Sequence, residues 1–232
     1  MNKQQFQDQC KTLGITIDER QCAQFETYMK CLIEWNEKMN LTAITEEEEI
    51  WEKHFYDSIV PFANLEFQSL CDVGSGAGFP GIPVKIVNPS ISLTIIEPLQ
   101  KRCRFLQEVV EQLQLDNVQI ICARAEDHAK DHRESFDVVS ARAVARLPIL
   151  LELCVPFVKI NGMMVALKGK QGQEEFAEAQ EAMRVLGIEC IKEETFDVGP
   201  AKRINYYFKK VRSTPKKYPR VYGQIKKRPI GG

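Results

Sequence analysis

Two hydrophobic rhythms divide this chain. Up to about residue 65, apolar residues return every three or four positions, as in Cys22, Phe25, Met29, Leu32, Trp35 and Met39. That spacing lines one face of a helix. Phe6 and Cys10 predict a shorter helix before it, and Ile50, Trp51, Phe55 and Ile59 predict another after it. Thr45, with Glu48 three residues on, predicts a capping box at the start of that third helix. Beyond this lobe, short apolar runs alternate with amphipathic stretches. Residues 70–73, 93–96, 118–122, 136–140 and 163–167 read as strands. Residues 101–115, 147–158 and 174–186 read as helices, with Pro156 ending or kinking the second. Ile188–Val198 and 204–211 alternate like antiparallel partners. The pattern predicts an α/β fold: a doubly wound, mostly parallel, Rossmann-like sheet with an N-terminal helical lobe. It divides the chain into the lobe at 1–65, a ligand-binding core at 66–212 and a tail at 213–232.

The chain is organised around residues 71–83, Cys-Asp-Val-Gly-Ser-Gly-Ala-Gly-Phe-Pro-Gly-Ile-Pro. A short strand leads into Gly74, Gly76, Gly78 and Gly81, and an apolar helix follows. Such a turn lets a ligand lie against bare backbone at the carboxyl end of the first strand. Gly76 to Gly81 fits the dinucleotide fingerprint, but two features argue against NAD. Asp72 would crowd a pyrophosphate and suits an ammonium group. Pro80 and Pro83 remove backbone donors that a pyrophosphate would need. S-adenosylmethionine, cationic and without phosphate, fits the loop better.

Four further charged residues fall at strand ends, where ligands of open α/β sheets bind. Glu97 ends the second strand and suits ribose hydroxyls. Glu126, after Ala125, follows the third strand, beside an adenine. Arg142 follows the fourth and Lys168 ends the fifth.

Charge changes the picture at the far end. The net charge is −1, yet no Asp or Glu follows Asp197, and eleven Lys or Arg do. Residues 1–197 hold the other 20 basic residues and all 32 acidic ones, a balance of −12. A basic end on an acidic body predicts a polyanionic partner. Lys168, Lys202, Arg203, Lys216, Lys217, Arg220, Lys226, Lys227 and Arg228 are the candidate RNA-contacting residues. The tail from Ser213, rich in Pro, Lys and Gly, is expected to be extended or loosely ordered. The eight cysteines form no CxxC or CxxH pairs. Cys31, Cys71, Cys122 and Cys154 lie among apolar neighbours and read as reduced core thiols. No metal set is expected with His54, His128 and His132, no run spans a membrane, and no signal peptide is evident. The expectation is a cytoplasmic monomer.

The glycine motif with its two prolines resembles motif I of the RsmG (GidB) family. Asn40-Leu-Thr42, His54-Phe-Tyr-Asp-Ser58, Ala125-Glu126, Ser140-Ala-Arg-Ala-Val-Ala145, Leu167-Lys-Gly169 and Tyr218-Pro-Arg220 extend the resemblance over nearly the whole chain. It implies a bacterial, S-adenosylmethionine-dependent methyltransferase acting on guanine N7 of 16S ribosomal RNA, free or in the small subunit or its assembly intermediate. It further implies cofactor contacts by Gly74, Phe79, Ala125, Glu126 and Arg142, with Glu97 on the ribose. Asp72 and Gly76 join this set from the loop reading. Pro98 after the acid, and Gln224 after Gly223, depart from the family pattern.

Guanine N7 carries an exposed lone pair, so no general base is expected. Asn40, His54, Asp57 and Arg142 are candidates to hold the guanine, although Asn40 and Asp57 also suit helix caps and His54 a packed core. The loop after the fourth strand lacks the cysteine that cytosine C5 methylation needs and the polar-Pro-Pro-aromatic pattern common in amino methylation. Two rival readings stay open at this point: a nicotinamide-dependent oxidoreductase and a non-enzymatic RNA-binding module.

Overall fold

The computed structural model describes residues 1–199 and 201–232. Helices α1 (Lys3–Thr12) and α2 (Glu19–Met39) open the chain. Each starts on a reciprocal capping box, Asn2 with Gln5 and Asp18 with Gln21. The box expected at Thr45 does not form. Helix α3 (Glu47–Glu49) follows Glu46 with no side-chain cap. Its chain widens into a π-helix over Ile50–Tyr56, then continues as α4 (Asp57–Ile59). The acidic run at the helix start suits its positive end without an N-cap oxygen.

The sheet has seven strands in the order β3-β2-β1-β4-β5-β7-β6. They are β1 (Ser69–Val73), β2 (Ser92–Ile96), β3 (Val118–Ile121), β4 (Phe136–Arg142), β5 (Val158–Lys168), β6 (Ile188–Val198) and β7 (Ala201–Lys210). The first five run parallel, and β7 lies antiparallel between β5 and β6. Helices α5 (Gly81–Val87), α6 (Gln100–Gln112), α7 (Ala125–His128) and α8 (Leu147–Cys154) make the crossovers. The single helix expected over 174–186 breaks at Ala179 into α9 (Gly172–Glu178) and α10 (Gln180–Leu186).

Two apolar clusters cover the two faces. One joins Phe6, Phe25, Trp51 and Phe55 of the lobe to Leu70, Ile82 and Phe105, so the lobe and that sheet face share a core. The other gathers Leu150, Phe157, Tyr206 and Phe208 with Ile225 and Ile230. The chain winds outward from β1 to β3 and returns to β4 on the other side of β1. A crevice opens at that switch point, outside the carboxyl ends of β1 and β4.

The tail is not loose. Thr214, Tyr218, Ile225 and Ile230 are buried, and α11 (Tyr222–Lys227) is helical. Its scattered apolar residues reach a groove that only the folded core provides. Arg220 closes the attachment: its Nε and backbone N donate to Oε1 of Glu152 at 2.8 and 2.9 Å, and Nη2 donates to Oε2 at 2.6 Å. Six of the eight cysteines are buried; Cys122 is exposed just past the edge strand β3, against expectation, and Cys190 is half-buried.

Candidate active site

The glycine loop is held from beneath by Asp72, fully buried at the end of β1. Its Oδ2 accepts from Gly81 N at 2.9 Å and from Ser75 Oγ, and its Oδ1 accepts from Ser140 Oγ at 3.3 Å. The carboxylate thus faces the turn it closes. Its expected role on a cofactor ammonium gives way to that of fixing the loop. Burial pushes its pKa up to about 6 against the pull of these donors.

Above the loop lies a cleft of about 350 Å³, lined by Gly74, Glu97, Ala125, Glu126, Val144 and Tyr222 among others. Glu97 is 1% exposed, accepts from Gly76 N at 3.0 Å and Leu99 N at 3.0 Å, and has Arg102 at 3.8 Å. These donors hold the carboxylate at the rim with lone pairs to spare for a diol. Gly74 (φ +69) and Gly76 (φ +62) both adopt the left-handed conformation that favours glycine. A Cβ on Gly76 would meet no atom within 4 Å, so this stretch of backbone borders open space. The site therefore fits S-adenosylmethionine: glycine backbone beside open space, and a buried carboxylate at the rim able to accept from a diol.

A second cleft, of about 540 Å³, lies across Ala143, which lines both. Ala143 is itself in the left-handed region, φ +57, at the turn between the two spaces. This second cleft takes in His54, Asp57, Arg142, Lys168 and Arg203. The π-helical turn carries His54 here, and its Nε2 and Nδ1 lie 2.8 Å from Thr42 Oγ1 and 3.1 Å from Arg142 Nη2. Arg142 Nη1 also donates to Lys53 O at 3.2 Å, and its guanidinium lies 4.8 Å from the Phe79 ring centroid. Phe79 stacks on His54 at 4.3 Å and 10°. An arginine only donates, so Nδ1 of His54 is the acceptor and Nε2 carries the proton. Burial, followed by the charges of Arg142 and Arg203, lowers the His54 pKa to about 3. The imidazole is neutral at physiological pH and acts as a fixed hydrogen-bonding spacer.

The other expected residues divide by position. Gly74, Glu97, Ala125 and Glu126 line the first cleft. Arg142 belongs to the second, and the Phe79 side chain, 4% exposed, lines neither; it supports His54 and Arg142 from below. Asn40 is an exposed C-cap of α2 with φ +41 and lines neither cleft. Asp57 is buried and binds Arg203 Nε at 2.9 Å and Arg142 at 3.5 Å. Of the expected RNA contacts, Arg203, Lys168 and Arg220 are engaged internally; Lys168 Nζ lies 2.6 Å from Glu175 and 2.8 Å from Ala145 O. Buried carboxylates claim them, because an unpaired charge there would be costly. Lys202, Lys216, Lys217, Lys226, Lys227 and Arg228 are exposed.

Sequence reasoning missed Arg102, Arg124, Val144 and Tyr222 in the first cleft and Thr42 Oγ1 beside the second. Arg102, on the first turns of the helix after Glu97, was within reach of a helix-face argument; Tyr222 carried no local signal. A larger hollow of about 730 Å³ runs along Gln68, Asp137 and Lys159, at the amino ends of the strands. Asp137 there is occupied by Lys159, Ser69 and backbone donors, and the glycine loop lies at the other end. Among the described residues, no three His, Cys, Asp or Glu side chains are grouped to hold a metal, and no helix is long and apolar enough to cross a membrane.

The fold is a doubly wound, Rossmann-like α/β sheet with both clefts at the carboxyl ends of its strands. Solved structures share it: TYW2 of M. jannaschii in complex with AdoMet, at 18% identity and a TM-score of 0.58, covers 73% of this chain and 80% of its own. TrmN from Thermus thermophilus, at 12% identity and 0.54, covers 69% and 53%. The sequence narrows the class to one family. The GidB family, described as rRNA small subunit methyltransferase G, matches residues 21–199. Ribosomal RNA small subunit methyltransferase G of Lysinibacillus sphaericus is 48% identical over 237 residues, covering 99% of this chain and 100% of that protein. Its namesake in Staphylococcus aureus is 48% identical over 229 residues, covering 96% of each. The chain belongs to this family of methyltransferases.

Proposed function

We propose that this protein transfers a methyl group from S-adenosylmethionine to N7 of a guanine in 16S ribosomal RNA. The observation that carries the reading is the pair of adjoining clefts, one floored by the glycine loop and Glu97, the other walled by His54 and Arg142, with Ala143 between them. Family membership supports the substrate class.

Bound in the first cleft, S-adenosylmethionine supplies an electrophilic methyl on a sulfonium, which departs as a neutral thioether. Guanine N7 attacks with its own lone pair and no proton moves, so the chain's task is alignment and exclusion of water. Neutral His54 neither takes nor gives a proton. Glu97 and the loop amides hold the donor, and the wall of His54, Arg142 and Asp57 limits how a base can enter. The buried Asp57 carboxylate offsets the charge of its arginine neighbours in a cleft where the product base becomes cationic. We place the reaction in the cytoplasm, on 16S RNA or the small subunit that contains it, with a monomer as the working unit.

Incubation with methyl-labelled cofactor and 16S RNA, small subunits or assembly intermediates tests the reading. Label should appear on one guanine, at a position where mild reduction and aniline cleave the strand as they do at 7-methylguanine. Absence of transfer to all three substrates, with binding of a nicotinamide dinucleotide instead, would overturn it.

A further inference from the structure

The C-terminal tail enters the first cleft. Tyr222 lines it together with Glu97, Ala125 and Glu126, and Arg124 sits 5.5 Å from the Tyr222 ring centroid. The tyrosine is held there from both sides. Ahead of it, Arg220 grips the fully buried Glu152 with side chain and backbone, and Tyr218 is buried. Behind it, Ile225 is 0% exposed in the core beneath α8. A half-buried aromatic ring at the wall of a cleft, with the Arg124 guanidinium over one face, keeps its other face for stacking on a planar base.

We propose that Tyr222 is a cofactor-binding residue, packing against the adenosine end of the ligand as the wall that the tail contributes. The inference rests on the reading of this cleft as the S-adenosylmethionine site. The adenosine end follows from neighbours: Arg124 lies over the ring and leads into Ala125 and Glu126 at the start of α7, which line the same cleft. The tail thus does more than present cations to RNA. It completes the donor site.

The test is calorimetry of the full chain with S-adenosylhomocysteine and with 5′-methylthioadenosine, which keeps the adenosine and lacks the amino acid. Tyr222→Ala should weaken both by roughly fivefold or more, the lower end of base–aromatic stacking, and Tyr222→Phe should stay within about twofold of the parent. Tyr222→Leu, which keeps bulk for packing but not the flat face, should resemble Tyr222→Ala and guards against misfolding of the smaller variant. In turnover the loss should fall on KM for the donor, with kcat little changed. Parent-like affinity in folded Tyr222→Ala and Tyr222→Leu would overturn the inference and leave the site reading standing. A parent protein that binds neither ligand would overturn the site reading, and the inference with it.

Discussion

Arg142 donates to Nδ1 of His54 at 3.1 Å across 88 residues of chain, joining the carboxyl end of β4 to the π-helical turn of the lobe. The contact sets the tautomer of His54; burial, and after it the charges of Arg142 and Arg203, keeps the ring neutral. A histidine with an ordinary pKa near 6.5 would impose a break on a pH–rate profile between pH 5 and 8. His54 should impose none. kcat measured across that range should be flat on its account, and Arg142→Lys, which loses the forked geometry, should lower kcat at least tenfold without producing a histidine limb.

Asp72 and His54 pull stability in opposite directions on the acid side. The Asp72 pKa is raised from 3.8 to about 6, so its contribution is fully present below about pH 4 and is lost as pH rises through 6. The His54 pKa is lowered from 6.5 to about 3, so its contribution is present above 6.5 and is lost as pH falls toward 3. Between about pH 4 and 6 the two slopes offset each other. Asp72→Asn removes the first, so the variant should lose stability on acidification more steeply than the parent, by up to about 1.4 kcal/mol per pH unit. Urea unfolding at several pH values measures this. Asp72→Ala, which strips three donors of their acceptor, should cost about 2–3 kcal/mol at neutral pH.

Gly74 and Gly76 should fail differently. A Cβ on Gly74 meets Val144 Cγ2 at 2.6 Å, so Gly74→Val strains the packing as well as the backbone. Gly76→Ala adds its methyl to open space, at a backbone cost of about 1–2 kcal/mol. Gly76→Ala should therefore remain folded and bind S-adenosylhomocysteine at least tenfold more weakly. Gly74→Val should also lower the melting temperature clearly. Calorimetry beside thermal unfolding separates the two.

Removal of the whole tail after Val211 is a poor probe of RNA binding, because it also strips Ile225 and Ile230 from the core. Replacing exposed Lys226, Lys227 and Arg228 with Gln keeps those anchors. RNA affinity should fall, and the slope of log K against log salt should shrink by roughly two to three, at about 0.7–0.9 for each phosphate no longer neutralised.

Arg220 tests the tail's structural role. Arg220→Met leaves the Glu152 carboxylate buried without its partner, and should cost about 3–5 kcal/mol of unfolding free energy. Glu152→Gln with Arg220→Met should recover part of that loss.

The sequence by itself determined what local spacing can determine. Apolar periodicity at 22–39 and in the alternating runs after Leu70 fixed the α/β class and the order of strands along the chain, and the closely spaced glycines marked where a ligand meets backbone. Glu97, Ala125 and Glu126 were legible because strand ends in such a sheet share one rim. Tertiary structure decided the partners. Asp72 turned inward because three donors surround it, Arg203 and Arg220 became ion-pair anchors because buried carboxylates lie opposite them, and the tail folded because a distant groove accepts its isoleucines. Apart from Ser75 and Gly81 within the glycine loop, the partners in these roles lie 68 to 146 positions away along the chain, and desolvation by the whole fold sets their strength. No local pattern encodes them.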